Sequence, residues 1–356
     1  MKAHIYKRLT PDLYGEWTDL WNASADRATA FNSPAWLKAA ISAFDYRDVR
    51  IVAVRDADER LVAVAALIKY RRYGLTVYGA PALQFADKQS ILVDWSHWEV
   101  VEKLTSALKK LGTIELNYCT DEMRIRMQHT LSDSAITFQD DLNYIVDLSV
   151  SPTGDLSSKS KSKIRRTINK LEGPVTVHFS QDGTKNLFEK AYEVEANSTK
   201  KYRGMSVLTN PEVRVFYEIL ASLHPKLVNV SVLDNDQKPI AYSIELWGNG
   251  TYQGSQKAFV KGYEYFQPSK YLVMKILEHA HANGLTLFDF GRGSSEFKKH
   301  FTDTVQPLYT IIIPKPLLAG IYLAAIHSLR HITYDTIVRQ PKLYRAFKTV
   351  RATLRV

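Results

Sequence analysis

The sequence predicts a mixed α/β protein of two domains. Three observations lead there. β-rich runs alternate with stretches of helical apolar spacing along the chain, and 356 residues exceed the roughly 100–200 of an ordinary single domain. The order of hairpin, helix and strand also recurs loosely after residue 227, as two copies of one fold would require. A hydrophobic content of 45% is that of a globular chain able to bury a core.

The first 45 residues read as a strand followed by helical pieces. Asn32-Ser33-Pro34 starts the helix that carries Trp36 and Ala40, with Trp36 read as core. Val49–Val54 and Leu61–Tyr70 flank the charged turn Asp56–Arg60 as a hairpin, and the strand pattern resumes at Leu75–Tyr78 after Arg71-Arg72-Tyr73-Gly74. Trp95–Leu111 is helical in pattern, Thr113–Tyr118 a strand, and Ile145–Leu148 a further strand. Ser151–Lys170 is a change of composition: a polar, basic run leads into the stripe Ile164, Ile168, Leu171, surrounded by Arg165, Arg166, Asn169 and Lys170. It reads either as a solvated linker with an amphipathic helix or as a helix lining a phosphate site, since arginine grips phosphate with two parallel hydrogen bonds.

Phe188–Asn197 is helical and ends in Glu195-Ala196-Asn197-Ser198-Thr199-Lys200. Glu195 can orient or deprotonate an amine and Lys200 can hold a carboxylate or phosphate; the rival is a solvent-facing Glu–Lys pair. Asn210-Pro211-Glu212 opens a helix to Leu223, and Leu227–Leu233 with Pro239–Trp247 forms a second hairpin. Gly248-Asn249-Gly250 then turns the chain into the strand Tyr252–Val260. A helix follows from Pro268-Ser269, with Ser269 as the expected cap, and Gly284 ends it. Leu285–Phe290 alternates as a strand and delivers Asp289 and Gly291-Arg292-Gly293 to a junction able to bind an anion through backbone N–H groups. Tyr309–Ile313 is a last strand. Leu317–Leu329 is an apolar helical run too short and interrupted to span a membrane. It packs on the domain or another copy, or lies on a lipid surface with Arg330, His331, Arg339, Lys342 and Arg345 near anionic headgroups.

A formal charge of +10 favours acidic partners (nucleotides, coenzymes, anionic lipids, nucleic acid) without choosing among them. The basic run Ser157–Lys163 lacks aromatics, which counts against single-stranded nucleic acid. A single cysteine, Cys119, excludes an intrachain disulfide framework and fits a reducing compartment. No Cys/His set has zinc spacing, and His279 and His281 lack further ligands, so no metal is expected. Met1-Lys2-Ala3-His4 leads into polar sequence, so no secretory signal is expected and the cytoplasm is the expected compartment.

Several of these segments occur in an informative order: Lys163-Ile164-Arg165-Arg166; Glu195–Lys200 followed by Gly204; Pro239-Ile240-Ala241; Tyr265-Phe266-Gln267-Pro268-Ser269; Asp289-Phe290-Gly291; and Phe297-Lys298-Lys299-His300-Phe301. Together they resemble the Gcn5-related N-acetyltransferase (GNAT) superfamily, and within it the long bacterial FemAB-like or BioF2-like branch associated with cell-envelope and polysaccharide genes. The resemblance covers roughly residues 150–305, and the first domain by architecture. It implies tandem GNAT-like domains, each a twisted mixed sheet flanked by helices: 1–150, 151–315 with the main substrate cleft, and a helical extension 316–356.

The chemistry it implies is direct transfer of an acyl group from a thioester to an amine of an envelope precursor, small or lipid-linked. Glu195 and Asp289 then position or deprotonate the amine, while Tyr265 or Tyr271 donates to the oxyanion or the leaving thiolate. Lys200, Lys257 and Arg292 hold anionic substrate groups, with Arg165 and Arg166 on phosphate. No tightly bound cofactor is expected; acyl-coenzyme A or an acyl carrier protein is the expected co-substrate. The usual pyrophosphate loop is not intact, Lys261-Gly262 and Pro268-Ser269 standing in its place, so an acyl carrier protein becomes a reasonable donor. The coiled-coil arm of many transfer-RNA-dependent relatives is missing from the pattern. Two alternatives stay open: an aminoacyl-transfer-RNA-dependent transferase, and a non-catalytic basic binding module.

Overall fold

The computed structural model describes residues 1–24, 27–131, 134–180, 184–248 and 250–339. Asn249, Lys342 and Arg345 lie outside them, and the side chains of Arg330, His331 and Arg339 are likewise not described.

The first half of the chain runs β1 (Lys2–Tyr6), α1 (Pro11–Ala23), α2 (Pro34–Phe44), β2 (Val49–Arg55), β3 (Leu61–Arg72), β4 (Leu75–Gly79), β5 (Ile91–Val93), α3 (Trp98–Leu108), β6 (Ile114–Cys119), α4 (Asp121–Leu131) and β7 (Ile136–Asp147). The second runs α5 (Ser158–Ile168), β8 (Val175–Phe179), α6 (Thr184–Ala196), α7 (Thr199–Tyr202), α8 (Pro211–Leu223), β9 (Val228–Asn235), β10 (Lys238–Gly248) and β11 (Thr251–Phe259). It closes with α9 (Pro268–Ala282), β12 (Leu287–Arg292), α10 (Glu296–Lys299), β13 (Val305–Ile313) and α11 (Leu317–Arg339).

Most elements follow the local signals. Ser33 caps α2 by accepting from Trp36 N–H, and Asn210 caps α8 by accepting from Glu212 N–H. Ser269 does not cap α9: the cap position is Gln267, left-handed at φ 54°, with Pro268 next. The steric pressure of proline on its predecessor disfavours the right-handed helical region there. β7 extends well upstream of Ile145, and neither α4 nor β8 follows from periodicity. α4 carries charged residues on most of its turns, and β8 is an edge strand with little buried surface.

The strands join one mixed sheet in the order β1-β2-β3-β4-β6-β13-β7-β12-β11-β10-β9-β8, with β5 beside β3. Read inward from either end, the sheet is the same. A meander of four strands leads to a parallel pair, β4 with β6 on one side and β11 with β12 on the other. Each parallel pair is then flanked by a strand from the opposite half of the chain: β13 lies against β6, and β7 against β12. The two halves are therefore copies of one fold joined by exchange of their last strands.

The core runs across both halves. Trp36 of α2 meets Phe216 of α8 edge to face at 4.8 Å, in a cluster that also takes Trp17, Trp21 and Phe31. Trp36 is fully buried and its indole N–H donates to Pro81 O at 3.1 Å, so it is core, as read from the sequence.

Candidate active site

β11 and β12 pair in parallel from Thr251–Leu287 to Gln253–Asp289. Past that point β12 shifts register against β7 and turns at Gly291, at φ 73°. The two strands separate into a wedge. Its far end is closed where Ser198 bridges Val260 and Lys261 N–H donates to Asn197 O at 2.9 Å. Gly291 is required by more than its dihedral: a Cβ there would lie 2.2 Å from Asp87 Oδ2.

Four segments send polar side chains into this wedge. From β11, Lys257 Nζ stands 5.2 Å from the Phe297 ring and 5.9 Å from the Phe290 ring. From α10, Lys298 Nζ donates to the carbonyls of Gly291 and Arg292. At the end of β12, buried Asp289 accepts from Gly291 N–H at 2.7 Å and from Asn143 of β7 at 3.0 Å. The fourth segment belongs to the first half of the chain, between β4 and β5. Lys88 Nζ pairs with Asp289 Oδ2 at 2.8 Å, and Asp87 Oδ1 accepts from Arg292 Nε at 2.9 Å. Arg292 also donates to Tyr118 OH, at the end of β6.

Burial sets the electrostatics. It lowers Lys257 to about 8, reinforced by the neighbouring ammonium groups of Lys298 and Lys200. Burial also lowers Lys298 and Lys200, with Asp87 and Asp289 opposing it at the first and Glu195 at the second. Asp87 is pushed up to about 6 by burial, which Asp289 reinforces and Arg292 opposes. One wedge thus holds a carboxylate ionising near 6 and an ammonium ionising near 8, the kind of offset pair that acid–base chemistry near neutrality uses.

Of the residues singled out in the sequence, Asp289, Lys257 and Arg292 meet here, and Lys200 is near enough to depress Lys257. Glu195 is fully buried and not part of a solvent-facing pair. It accepts from Ser206 Oγ at 2.8 Å, Val207 N–H at 3.0 Å and Tyr242 OH at 3.0 Å, which fixes the turn carrying Lys200. Tyr271 is half-buried in the apolar layer. Tyr265, 63% exposed, sits elsewhere, accepting from Lys170 Nζ at 2.7 Å. Together with Lys159, Lys163, Arg166 and Gln267 this pair lines a recess of about 590 Å³ at the N-terminus of α9. Arg165 turns away to Glu278 at 3.1 Å. Lys261 lies over the Tyr202 ring at 4.1 Å, Gly262 N–H donates to Glu264 at 2.9 Å, and Pro268 and Ser269 form the first turn of α9.

Asp87, Lys88, Tyr118 and Lys298 were not among the expected site residues. For the first two the only signal is a polar run, Asp87-Lys88-Gln89-Ser90, after apolar sequence; for Lys298 it is a lysine held between Phe297 and Phe301.

The first half has a wedge too, since β4 and β6 pair only at Tyr78–Ile114. It is filled. Buried Glu115 forms ion pairs with Arg72 at 2.9 Å and with His327 of α11 at 2.9 Å, and Leu323 of α11 packs on Val77 and Ile312.

Residues 158–299 match the acetyltransferase (GNAT) domain family. FemX shares the fold with a TM-score of 0.66 at 12% identity, over 92% of this chain and 99% of that one. The C-terminal domain of a putative lysylphosphatidylglycerol synthetase from Agrobacterium fabrum gives 0.58 at 14% identity, over 87% and 95%. L-PGS from Bacillus licheniformis gives 0.55 at 16%, over 84% and 97%. No curated protein matches the chain by sequence. Residues 158–299 thus resemble a GNAT acetyltransferase domain, and the chain as a whole shares the fold of FemX. The matched segment contains Lys257, Asp289, Arg292 and Lys298; the residues that complete the wedge, Asp87 and Lys88, lie outside it.

Proposed function

We propose that the protein transfers an acyl group from a thioester, on coenzyme A or an acyl carrier protein, to an amine of a cell-envelope or polysaccharide-related acceptor, working in the cytoplasm near the membrane's inner face. The observation that carries this reading is the wedge between β11 and β12 with Asp87, Lys257 and Lys298 directed into it. An extended thioester arm suits the space between parted parallel strands, where among the described residues β11 pairs with no strand on that side between Gln253 and the Ser198–Val260 bridge.

In the reaction the amine nitrogen bonds to the thioester carbonyl carbon, and the carbonyl electrons move onto oxygen. Lys298 uses two of its three N–H groups on Gly291 and Arg292 carbonyls, leaving the third for that oxyanion. Asp87 takes the proton lost by the attacking nitrogen. The C–S bond then breaks, the carbonyl reforms, and the thiolate takes a proton from solvent. Lys257, with no hydrogen bond or ion pair among the described residues, holds an anionic group of the acceptor. Asp289 and Lys88 keep Gly291 and Arg292 in place. The basic recess beside α9 holds the phosphates of the donor, with Lys261 and Ser269 at its margin.

One observation favours a second reading. Lys159, Lys163, Arg166 and Lys170 follow one face of α5 and its end over roughly 16 Å, a reach that also suits an RNA backbone. That would make the donor an aminoacyl-transfer RNA. The deciding experiment is mass spectrometry of an amine-containing envelope-metabolite pool after incubation with acyl-coenzyme A, acyl carrier protein or aminoacyl-transfer RNA. A donor-dependent mass gain that disappears in Asp87→Asn and Lys298→Met supports the reading and names the donor. Folded protein that binds these donors and transfers nothing supports the binding module.

A further inference from the structure

Helix α11 presents an unusual face to water. Its inner side is Gly320, Leu323 and His327, spaced three and four apart and packed on Pro314, Val77, Ile312 and Glu115. The opposite side consists of Leu318, 76% exposed, with Ile321, Tyr322 and Leu329 at 51%, 47% and 64%. From Leu317 to Leu329 there is no Asp, Glu, Lys or Arg. A helix packed on a domain ordinarily turns charge outward, and a continuous outward row of Leu, Ile and Tyr marks a contact surface.

The surrounding charge identifies what makes the contact. Lys315 is exposed two residues before the helix, and Tyr322 OH donates to the backbone carbonyl of Tyr73 in the basic β3–β4 turn at 3.3 Å. After Leu329 the sequence carries seven Lys and Arg, from Arg330 to Arg355, against one acid, Asp335. An apolar protein partner would leave that positive charge unmatched. An anionic lipid surface uses both features at once, apolar side chains in the acyl boundary and cations at the headgroups. Among the described residues no helix is long and apolar enough to cross a membrane, so contact would be in the plane of the interface.

We infer that α11 seats the protein on an anionic lipid surface through Leu318, Ile321, Tyr322 and Leu329. The inference rests on α11 and the charge around it, not on the transfer chemistry. His327 anchors α11 on buried Glu115 of β6 at 2.9 Å.

The test is co-sedimentation of the full chain with phosphatidylcholine vesicles, with and without phosphatidylglycerol as about a third of the lipid. The expected result is binding to the anionic vesicles, about tenfold weaker or more on pure phosphatidylcholine and in high salt. The triple variant Leu318→Ser, Ile321→Ser, Leu329→Ser alters exposed side chains only. With an unchanged circular dichroism spectrum, it should lose at least about tenfold in vesicle affinity. A second variant, Lys342→Gln with Arg345→Gln and Lys348→Gln, should weaken anionic binding only. Absence of sedimentation with either vesicle, or equal binding by the triple variant, overturns the proposal. So does a self-associated wild type that the triple variant converts to monomer without any vesicle binding, which would assign the face to a second copy. Vesicle binding is read without turnover, so a failure of the acyl-transfer reading leaves this result standing and the reverse also holds.

Discussion

Lys88 Nζ, carried by the first half of the chain, lies 2.8 Å from Asp289 Oδ2 at the end of β12 in the second. Asp289 is buried and also accepts hydrogen bonds from Gly291 N–H and the Asn143 side-chain amide. The ion pair therefore ties the β4–β5 segment to the strand end that shapes the wedge, so a seam between the halves is also a wall of the site.

Replacing Lys88 with Met leaves Asp289 buried with one partner fewer. The expected cost is about 1–3 kcal/mol in urea unfolding, because the carboxylate keeps its desolvation penalty and loses its counter-charge. Turnover should fall as well, through Gly291 and Arg292. Unfolding at the wild-type midpoint would show that the pair contributes nothing.

The rate should follow a bell-shaped pH profile. Asp87 acts ionised, so kcat/KM rises with pH through about 6; Lys257 acts protonated, so it falls above about 8. Asp87→Asn should lower the rate and remove the acid limb, and Lys257→Met should remove the alkaline one. The stability signs differ from the usual. Asp87 has a raised folded pKa, so its contribution is lost as pH climbs from about 4 to 6, whereas Lys257, with a depressed one, favours folding increasingly as pH rises from about 8 to 10.5. Limbs unmoved by either substitution would assign the titration to other groups.

Lys298→Met should reduce kcat by about 10²–10³ while leaving KM for the donor within a few-fold, as expected for a donor used mainly on the oxyanion. Lys298→Arg should recover only part, since a planar guanidinium cannot reproduce the two carbonyl contacts and the third N–H direction together. Parallel losses in kcat and thermal stability, with normal turnover per folded molecule, would make Lys298 a structural bond of the β12 turn.

Charge reversal on the α5 face, Lys163→Glu with Arg166→Glu, should raise KM for the donor by about tenfold or more and flatten its salt dependence, with kcat changed less. Both side chains are exposed, so folding should be unaffected. An unaltered donor KM would place the donor's phosphates elsewhere.

Much of the architecture was legible locally because its signals are local. Ser33-Pro34 and Asn210-Pro211 satisfy orphan N–H groups at helix starts, and the charged turns at Asp56–Arg60 and Asp234–Lys238 bound runs of β-branched residues. α4 escaped because it carries charge around its circumference and buries only Met123, Met127 and Leu131. β8 escaped because an edge strand with half-buried residues shows little alternation. In the site, Asp289, Lys257 and Arg292 could be singled out because they belong to one contiguous strand, loop, helix, strand segment.

The sequence by itself determined the mixed α/β fold class, a loose recurrence of hairpin, helix and strand, a basic helix after Ser157, and an apolar run from Leu317 to Leu329. Tertiary structure alone decided which side chains share the wedge. Asp87 and Lys88 stand about 200 residues before Asp289 and Arg292, a separation in which no periodicity survives. They meet because β13 and β7 cross between the halves and fuse two sheets into one. The altered pKa values of Asp87 and Lys257 follow from that burial, because the desolvation that produces them exists only once both halves have closed around the wedge.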